Sequence, residues 1–269
     1  SSPGWRRVCR FKWLYVMLLP GIIYYLIFKY GPMVGLLAAF KDYQPFLGFF
    51  ESPWVGMKHF ARFFGGDSFL RILGNTLIIS FLNLVFYFPA PIIMALLLNE
   101  VKNRYFKTSV QSLICVPHFL SWVIIAGISY ELFTTEGGVI NMALSDGFGI
   151  KPVNFLGSEF WFRPLIIFQH IWKESGWGTI IFLAALAGVD MEMYEAARLD
   201  GASRWQQIIY ITLPAIKTTV ITMLILQLGK VMETGFDQIF LMQNSMNRNV
   251  SEVIDTYVYT MGMKNGQMP

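Results

Sequence analysis

The sequence predicts an all-α polytopic membrane protein with about five transmembrane helices. Three observations carry this. Hydrophobic residues make up 55% of the 269 positions and charged residues only 14%, where soluble domains carry about 25%. The mean hydropathy is +0.49. Several runs are free of charge over bilayer-crossing lengths, with basic segments between them. The net charge of +4 suits basic loops against anionic lipid, and no aromatic-basic stripe suggests a nucleic-acid partner.

The chain opens on Arg6, Arg7, Arg10 and Lys12, followed by uncharged Trp13 to Phe28. Lys29 can snorkel, so the first span is expected to continue into Met33–Ala39. No small-x-small cleavage site follows, which makes it a retained helix rather than a signal peptide. Lys41 to Arg71 is a mixed loop. Ile72 to Asn99 is 28 uncharged residues, the second span, in which Pro89 and Pro91 are expected to kink the helix because proline lacks the N–H. After a short basic loop from Glu100 to Lys107, Thr108 to Tyr130 forms the third span. Glu131 to Arg163 is a polar, Gly-rich loop. Pro164 to Val189 is the fourth span, with Lys173 and Glu174 inside it, and Thr218 to about Phe240 the fifth, interrupted by Lys230 and Glu233. Leu241 to Pro269 is polar.

With the N-terminus inside, the inner segments carry ten Lys and Arg over 48 positions and the outer ones eight over 103. The positive-inside rule favours that orientation. Cys9 and Cys115 have no metal-ligand spacing to His59, His118 or His170, and read as reduced structural thiols.

"YEAARLDGASRWQQIIYITLP", Tyr194 to Pro214, is a polar interruption between two apolar runs on the inner side. Met193, Ala196, Ala197 and Leu199 give a short helix with a small-residue face. Asp200-Gly201 is a turn, Ala202 restarts a helix, and Pro214 bends the chain into the next span. The result is a helix-turn-helix knob. Glu195 either meets a partner or fastens the knob to its own chain.

The pattern Glu195, Ala196, Ala197, Asp200, Gly201, Ala202, Leu213 and Pro214 resembles the EAA signature of permease subunits of binding-protein-dependent ABC importers. "GLLAAFKDYQPFLG" with "WVGMKHFARFF", and "WKESGWGTIIFLAALAGVDMEMYEAA", resemble the carbohydrate branch of that family. The resemblance covers roughly Leu14 to Pro269 and implies one type I importer transmembrane domain over residues 1–269. Within it, residues 190–214 are implied to be the cytoplasmic loop that couples to an ATPase. It also implies an ABC ATPase dimer carrying ATP and Mg, a second related permease subunit, an extracytoplasmic solute-binding protein and a sugar substrate. It further implies a sixth helix after "KNGQMP", so the chain is expected to be part of a longer one. No cofactor is expected on this chain. It contains no G-x-x-x-x-G-K-[ST] loop, since "GFGIKP" has the wrong spacing, and no H-E-x-x-H or G-x-S-x-G. The alternative is an ATP-independent carrier or channel, and a third, disfavoured reading is a membrane scaffold or enzyme.

For the substrate path, intramembrane ionisable residues are the first candidates. Lys173 and Glu174 neighbour Gln169, Trp172 and Trp177, and polar groups beside flat aromatics suit sugars. Helix bracing by paired charges, or placement at the outer interface, is the plainer alternative. Asn83 and Tyr87, four apart on the second span, are path candidates against a reading as interhelical bonding and packing. His118 is expected to be structural, and Trp122 and Tyr130 to pack or belong to an interfacial belt. Lys230, Glu233 and Asp237 lie near one side of a helix, facing either the path or the binding protein.

Overall fold

The structure, a computed structural model, describes residues 11–44 and 46–264. Arg6, Arg7, Cys9, Arg10 and the tail after Lys264 lie outside the described residues. Among those described there is no strand, only an isolated antiparallel bridge between Lys41 and Trp54. The contacts form two units: the described residues up to Phe69 together with those from Thr260, and Leu70–Tyr259.

In the first unit, α1 (Lys12–Tyr25) runs on through a π-turn, Leu26–Tyr30, and a 3-10 stretch to Phe40. This makes 29 helical residues, long and apolar enough to cross a membrane, with none of that window buried in the protein. The expected continuation past Lys29 is observed. The loop after it winds on buried Lys41, whose Nζ donates to Phe49 O at 2.8 Å and Phe50 O at 3.1 Å. Phe60 of α2 (Lys58–Phe64) packs on Phe40 at 5.3 Å between ring centroids.

The second unit is organised around one long helix. First, α3 (Asp67–Leu82), a π-turn at Asn83–Tyr87 and α4 (Pro89–Glu100) make a continuous apolar helix, Ser68–Glu100, of 33 residues. A π-turn directly precedes Pro89, where the kink is expected. The same device recurs: π-turns end two residues ahead of Pro32, Pro89 and Pro214. A proline lacks the N–H and its ring crowds the carbonyl four residues back, and locally widening the helix relieves that clash without ending it.

The third apolar run does not cross as one straight helix. It is split into α5 (Arg104–Cys115) with a 3-10 extension, Val116–Phe119, and α6 (Trp122–Phe133), with axes bent by 99°. Pro117 denies the ladder a donor, and Ser121 begins a new helix by accepting from Ile124 N at 3.4 Å. The Gly-rich loop holds an unanticipated helix, α7 (Val139–Phe148), which ends at Gly149 in the left-handed region (φ 64°).

The organising helix is α8 (Glu159–Ala187), 29 residues and about 43 Å long at 1.5 Å per residue. It starts five residues ahead of the expected Pro164, on the turn after Ser158. One core cluster packs Phe162, Leu165 and Ile166 of α8 with Ile79, Ile239 and Val253. The other packs Phe182 and Leu186 with Ala95 and Ile216. Between them, Gly176 lets the α5 backbone come close enough that a Cβ there would lie 1.9 Å from Ile114 O.

After α8 come α9 (Met191–Leu199), a helical return over Arg204–Ala215, and α10 (Lys217–Gly229), bent by 62° from that return. The expected fifth span to Phe240 stops short. α10 ends at Gly229, Lys230–Thr234 leave the helix, and α11 (Phe236–Met242) starts after Gly235 at φ 82°. Two charges and a left-handed glycine account for the break. The polar tail folds into α12 (Arg248–Ser251) and α13 (Ile254–Val258). Its buried Glu252 takes Arg71 at 2.7 Å and Arg248 at 2.6 Å, and Asn75 of α3 donates to Asn249 O and Glu252 O.

Candidate functional site

The segment 190–214 forms a knob fixed from within. Asp190 caps α9 through Glu192 N at 2.9 Å. Gly201 turns the chain at φ 77°, and Ala202 N bonds back to Ala197 O at 2.8 Å. Ser203 and Gln206 form a reciprocal capping box at the start of the return. Gln207 donates to Ala202 O at 3.0 Å. The Tyr194 hydroxyl meets Thr212 Oγ1 at 2.9 Å, which ties α9 to the return. Arg204 pairs with Glu100, at the end of α4, at 3.0 Å.

Among the described residues, the knob's outer surface is left largely exposed. Glu195 and Ala196 are exposed, and Ala197 and Ala202 half-buried. Leu199 is 89% exposed and Trp205 75%. Among the described residues Glu195 makes no ion pair or side-chain hydrogen bond, so it does not fasten the knob to its own chain. Asp200 and Pro214 are exposed and Leu213 half-buried. The S-x-x-Q of the capping box was readable from the sequence. The Tyr194–Thr212 tie was not, because it depends on how far the return doubles back.

Among the path candidates on α8, Gln169 and Lys173 are both buried and fully engaged. Gln169 donates to Ser129 Oγ of α6 at 2.6 Å and accepts from Gln238 of α11 at 3.0 Å. Lys173 Nζ donates to His118 O at 2.6 Å and Leu120 O at 2.9 Å. Glu174 pairs with His118 Nδ1 at 2.8 Å and with Lys173 at 3.5 Å. The His118 ring stacks on Trp177, 4.8 Å between centroids, as suits a structural histidine. Trp172 lies exposed, away from the buried face of Gln169 and Lys173. Tyr87 packs edge-on against His170 at 4.4 Å. The partners Ser129, Gln238 and His118 could have been sought as polar residues within other apolar runs; which pairs meet is set by the fold.

Asn83 stands apart from that group. It lines a small recess with Ser80, Leu84, Gln227, Lys230, Val231 and Glu233. Its Oδ1 is buried without a hydrogen-bond partner. Gln227, Lys230 and Glu233 make no side-chain hydrogen bond or ion pair among the described residues. Next to the recess, burial and then the Glu233 carboxylate push the Asp255 pKa up. The described residues hold no group of three or more His, Cys, Asp or Glu that could bind a metal.

The family described as "binding-protein-dependent transport system inner membrane component" matches residues 87–268. The chain belongs to this family. Similar proteins include Protein LplB of Bacillus subtilis (strain 168), 53% identical over 257 residues, which are 96% of this chain and 80% of that protein. The polygalacturonan/rhamnogalacturonan transport system permease protein YteP of the same organism is 54% identical over 256 residues, 95% of this chain and 79% of that one. Among solved structures, a bacterial ABC transporter involved in the import of the acidic polysaccharide alginate matches with a TM-score of 0.92 and 40% identity. That match covers 99% of this chain and 90% of the other. The permease family places the chain in a membrane, in agreement with its apolar helices.

Proposed function

We propose that this chain is the membrane-spanning permease subunit of an ATP-driven importer of oligosaccharides, and that a separate ATPase dimer, holding ATP and Mg, docks on its 190–214 knob. The observation that carries the reading is that knob: tied internally at Tyr194–Thr212, yet presenting Glu195, Leu199 and Trp205 exposed among the described residues. Free charge beside exposed large apolar side chains suits a protein interface. A second related permease completes the pathway, and a solute-binding protein delivers substrate from outside. The N-terminus is cytoplasmic. This chain binds no cofactor of its own.

The likeness to YteP, a polygalacturonan/rhamnogalacturonan transport system permease, and to the alginate transporter supports a polysaccharide-derived substrate. The recess supports sugar contact: Asn83 Oδ1 is an unsatisfied buried acceptor, and Gln227, Lys230 and Glu233 have no side-chain hydrogen bond or ion pair among the described residues. Each nucleotide state must favour one permease conformation by several kcal/mol to shift the population strongly, and a knob held by hydrogen bonds transmits that bias better than a free loop. The carrier reading draws on intramembrane Lys173 and Glu174, but both are engaged in holding helices.

The test is uptake of a labelled oligogalacturonate or alginate oligosaccharide into vesicles carrying the assembled complex. Accumulation requires ATP, and accumulation that persists without it would favour the carrier. In the same assay, Asn83→Leu lowers uptake at least about tenfold. Stability is unchanged or raised by about 1 kcal/mol, since an unsatisfied buried acceptor is removed. Unchanged uptake would take Asn83 off the path.

A further inference from the structure

We infer that Lys173 and Glu174 are positioning residues that lock the bent joint between α5 and α6 onto α8, so that the joint travels with the helix leading into the 190–214 knob; the transport consequence rests on the function proposed above.

The joint lacks backbone support. Leu120 N bonds back to Pro117 O and Ile125 N to Ser121 O, so the helical ladder is interrupted where the axes turn by 99°. The last carbonyls of a helix lack intrahelical donors, and a cation is well placed to satisfy them. Lys173 does this from a neighbouring helix. Its Nζ bonds His118 O, before the bend, and Leu120 O, after the 3-10 turn. It also lies 5.5 Å from the centroid of the Trp122 ring, the first residue of α6. Glu174 holds the His118 side chain, and Trp177, one turn on, stacks against the same ring. A single turn of α8 therefore grips both sides of the joint. Gly176 seats the end of α5 in direct backbone contact.

Apolar packing would keep these helices together without fixing the bend. Two hydrogen bonds to two particular carbonyls fix it. A buried ammonium left unpaired costs a few kcal/mol, so the lysine favours the arrangement in which both carbonyls are in reach. α8 runs unbroken to Ala187, and only Gly188–Asp190 separate it from α9. Motion applied at the knob thus reaches the joint through one helix. Joints of this kind are where φ/ψ changes are absorbed in switching proteins.

The test uses the full transporter complex in nanodiscs, with spin labels at Phe119 and Phe160, both exposed, and native cysteines replaced by serine. In the wild type and in Lys173→Arg, the distance between labels stays narrow and unchanged between the nucleotide-free and vanadate-trapped states. In Lys173→Met it broadens, and uptake per ATP hydrolysed, read with an oligogalacturonate probe, falls about tenfold, within the range of such couplings. Glu174→Gln, which removes the His118 ion pair while keeping the lysine, broadens the distance less, and serves if Lys173→Met fails to assemble. A distance distribution unchanged from the wild type in both variants would overturn the inference. A wild-type complex that hydrolyses no ATP would instead sink the transport reading, while the nucleotide-free distances still decide whether the grip exists.

Discussion

Gly176→Ala is expected to destabilise the protein by about 3 kcal/mol, more than a change of one methyl group usually does. The added Cβ would sit 1.9 Å from Ile114 O, 2.5 Å from Ile114 C and 2.9 Å from Cys115 N. All three are backbone atoms, so no rotamer change relieves the clash. α5 must move off α8, which strains the Cys115 Sγ contact to Gly176 O at 3.4 Å. For a chain of this size the loss corresponds to a fall in melting temperature of about 10 °C, measurable by thermal unfolding in detergent. Gly127→Ala is the contrast. Nothing lies within 4 Å of a Cβ there, and replacing a glycine inside a helix is neutral or stabilising by up to about 1 kcal/mol. Equal behaviour of the two variants would contradict the close approach of α5 and α8.

Glu195→Lys and Gly201→Asp are expected to leave insertion and stability nearly intact while ATP-driven uptake collapses. Glu195 is exposed and unpaired within the described chain, so reversing its charge costs the fold within about 0.5 kcal/mol. At a docking surface the same reversal removes a contact and adds a repulsion, on the order of 2 kcal/mol or more, which is roughly thirtyfold in affinity. Gly201 has φ 77° with no neighbour within 4 Å of a Cβ. Its replacement strains the turn by about 1 kcal/mol and re-aims α9 relative to the return. Uptake into vesicles, read beside thermal unfolding, separates the two effects. Normal uptake in both variants would remove the knob from the mechanism.

The helical class and the bounds of the first and second spans were legible because uninterrupted apolar runs leave few alternatives. The turn at Asp200-Gly201 was legible for the same local reason: glycine tolerates positive φ. What escaped was the behaviour of prolines and charges in their surroundings. Nothing local to Pro89 announces the π-turn that precedes it; Pro117 ends a helix that composition alone would carry straight through. Residues 131–163 hid α7 because a Gly-rich polar stretch says little about where a short helix finds its cap. Among the site residues, Gln169 and Lys173 stood out as intramembrane polar groups, but their partners lie 40 to 73 positions away, beyond what local spacing encodes. In the sequence, Asn83 stands out only through Tyr87, four residues on. The structure sets it instead beside Gln227 and Lys230, where Ser80 Oγ donates to Val231 O and brings the end of α3 against the segment after α10.

The central claim is that this permease works on energy supplied by another polypeptide through the 190–214 knob. Co-purification tests it most directly: the tagged chain is recovered from gently solubilised native membranes and its companions are identified by mass. The expected result is an ATPase carrying a Gly-x-x-x-x-Gly-Lys-Ser/Thr loop, together with a second permease bearing a similar helix-turn-helix segment. Recovery of the chain alone, from membranes that still take up sugar, would contradict the account and return the carrier reading to first place.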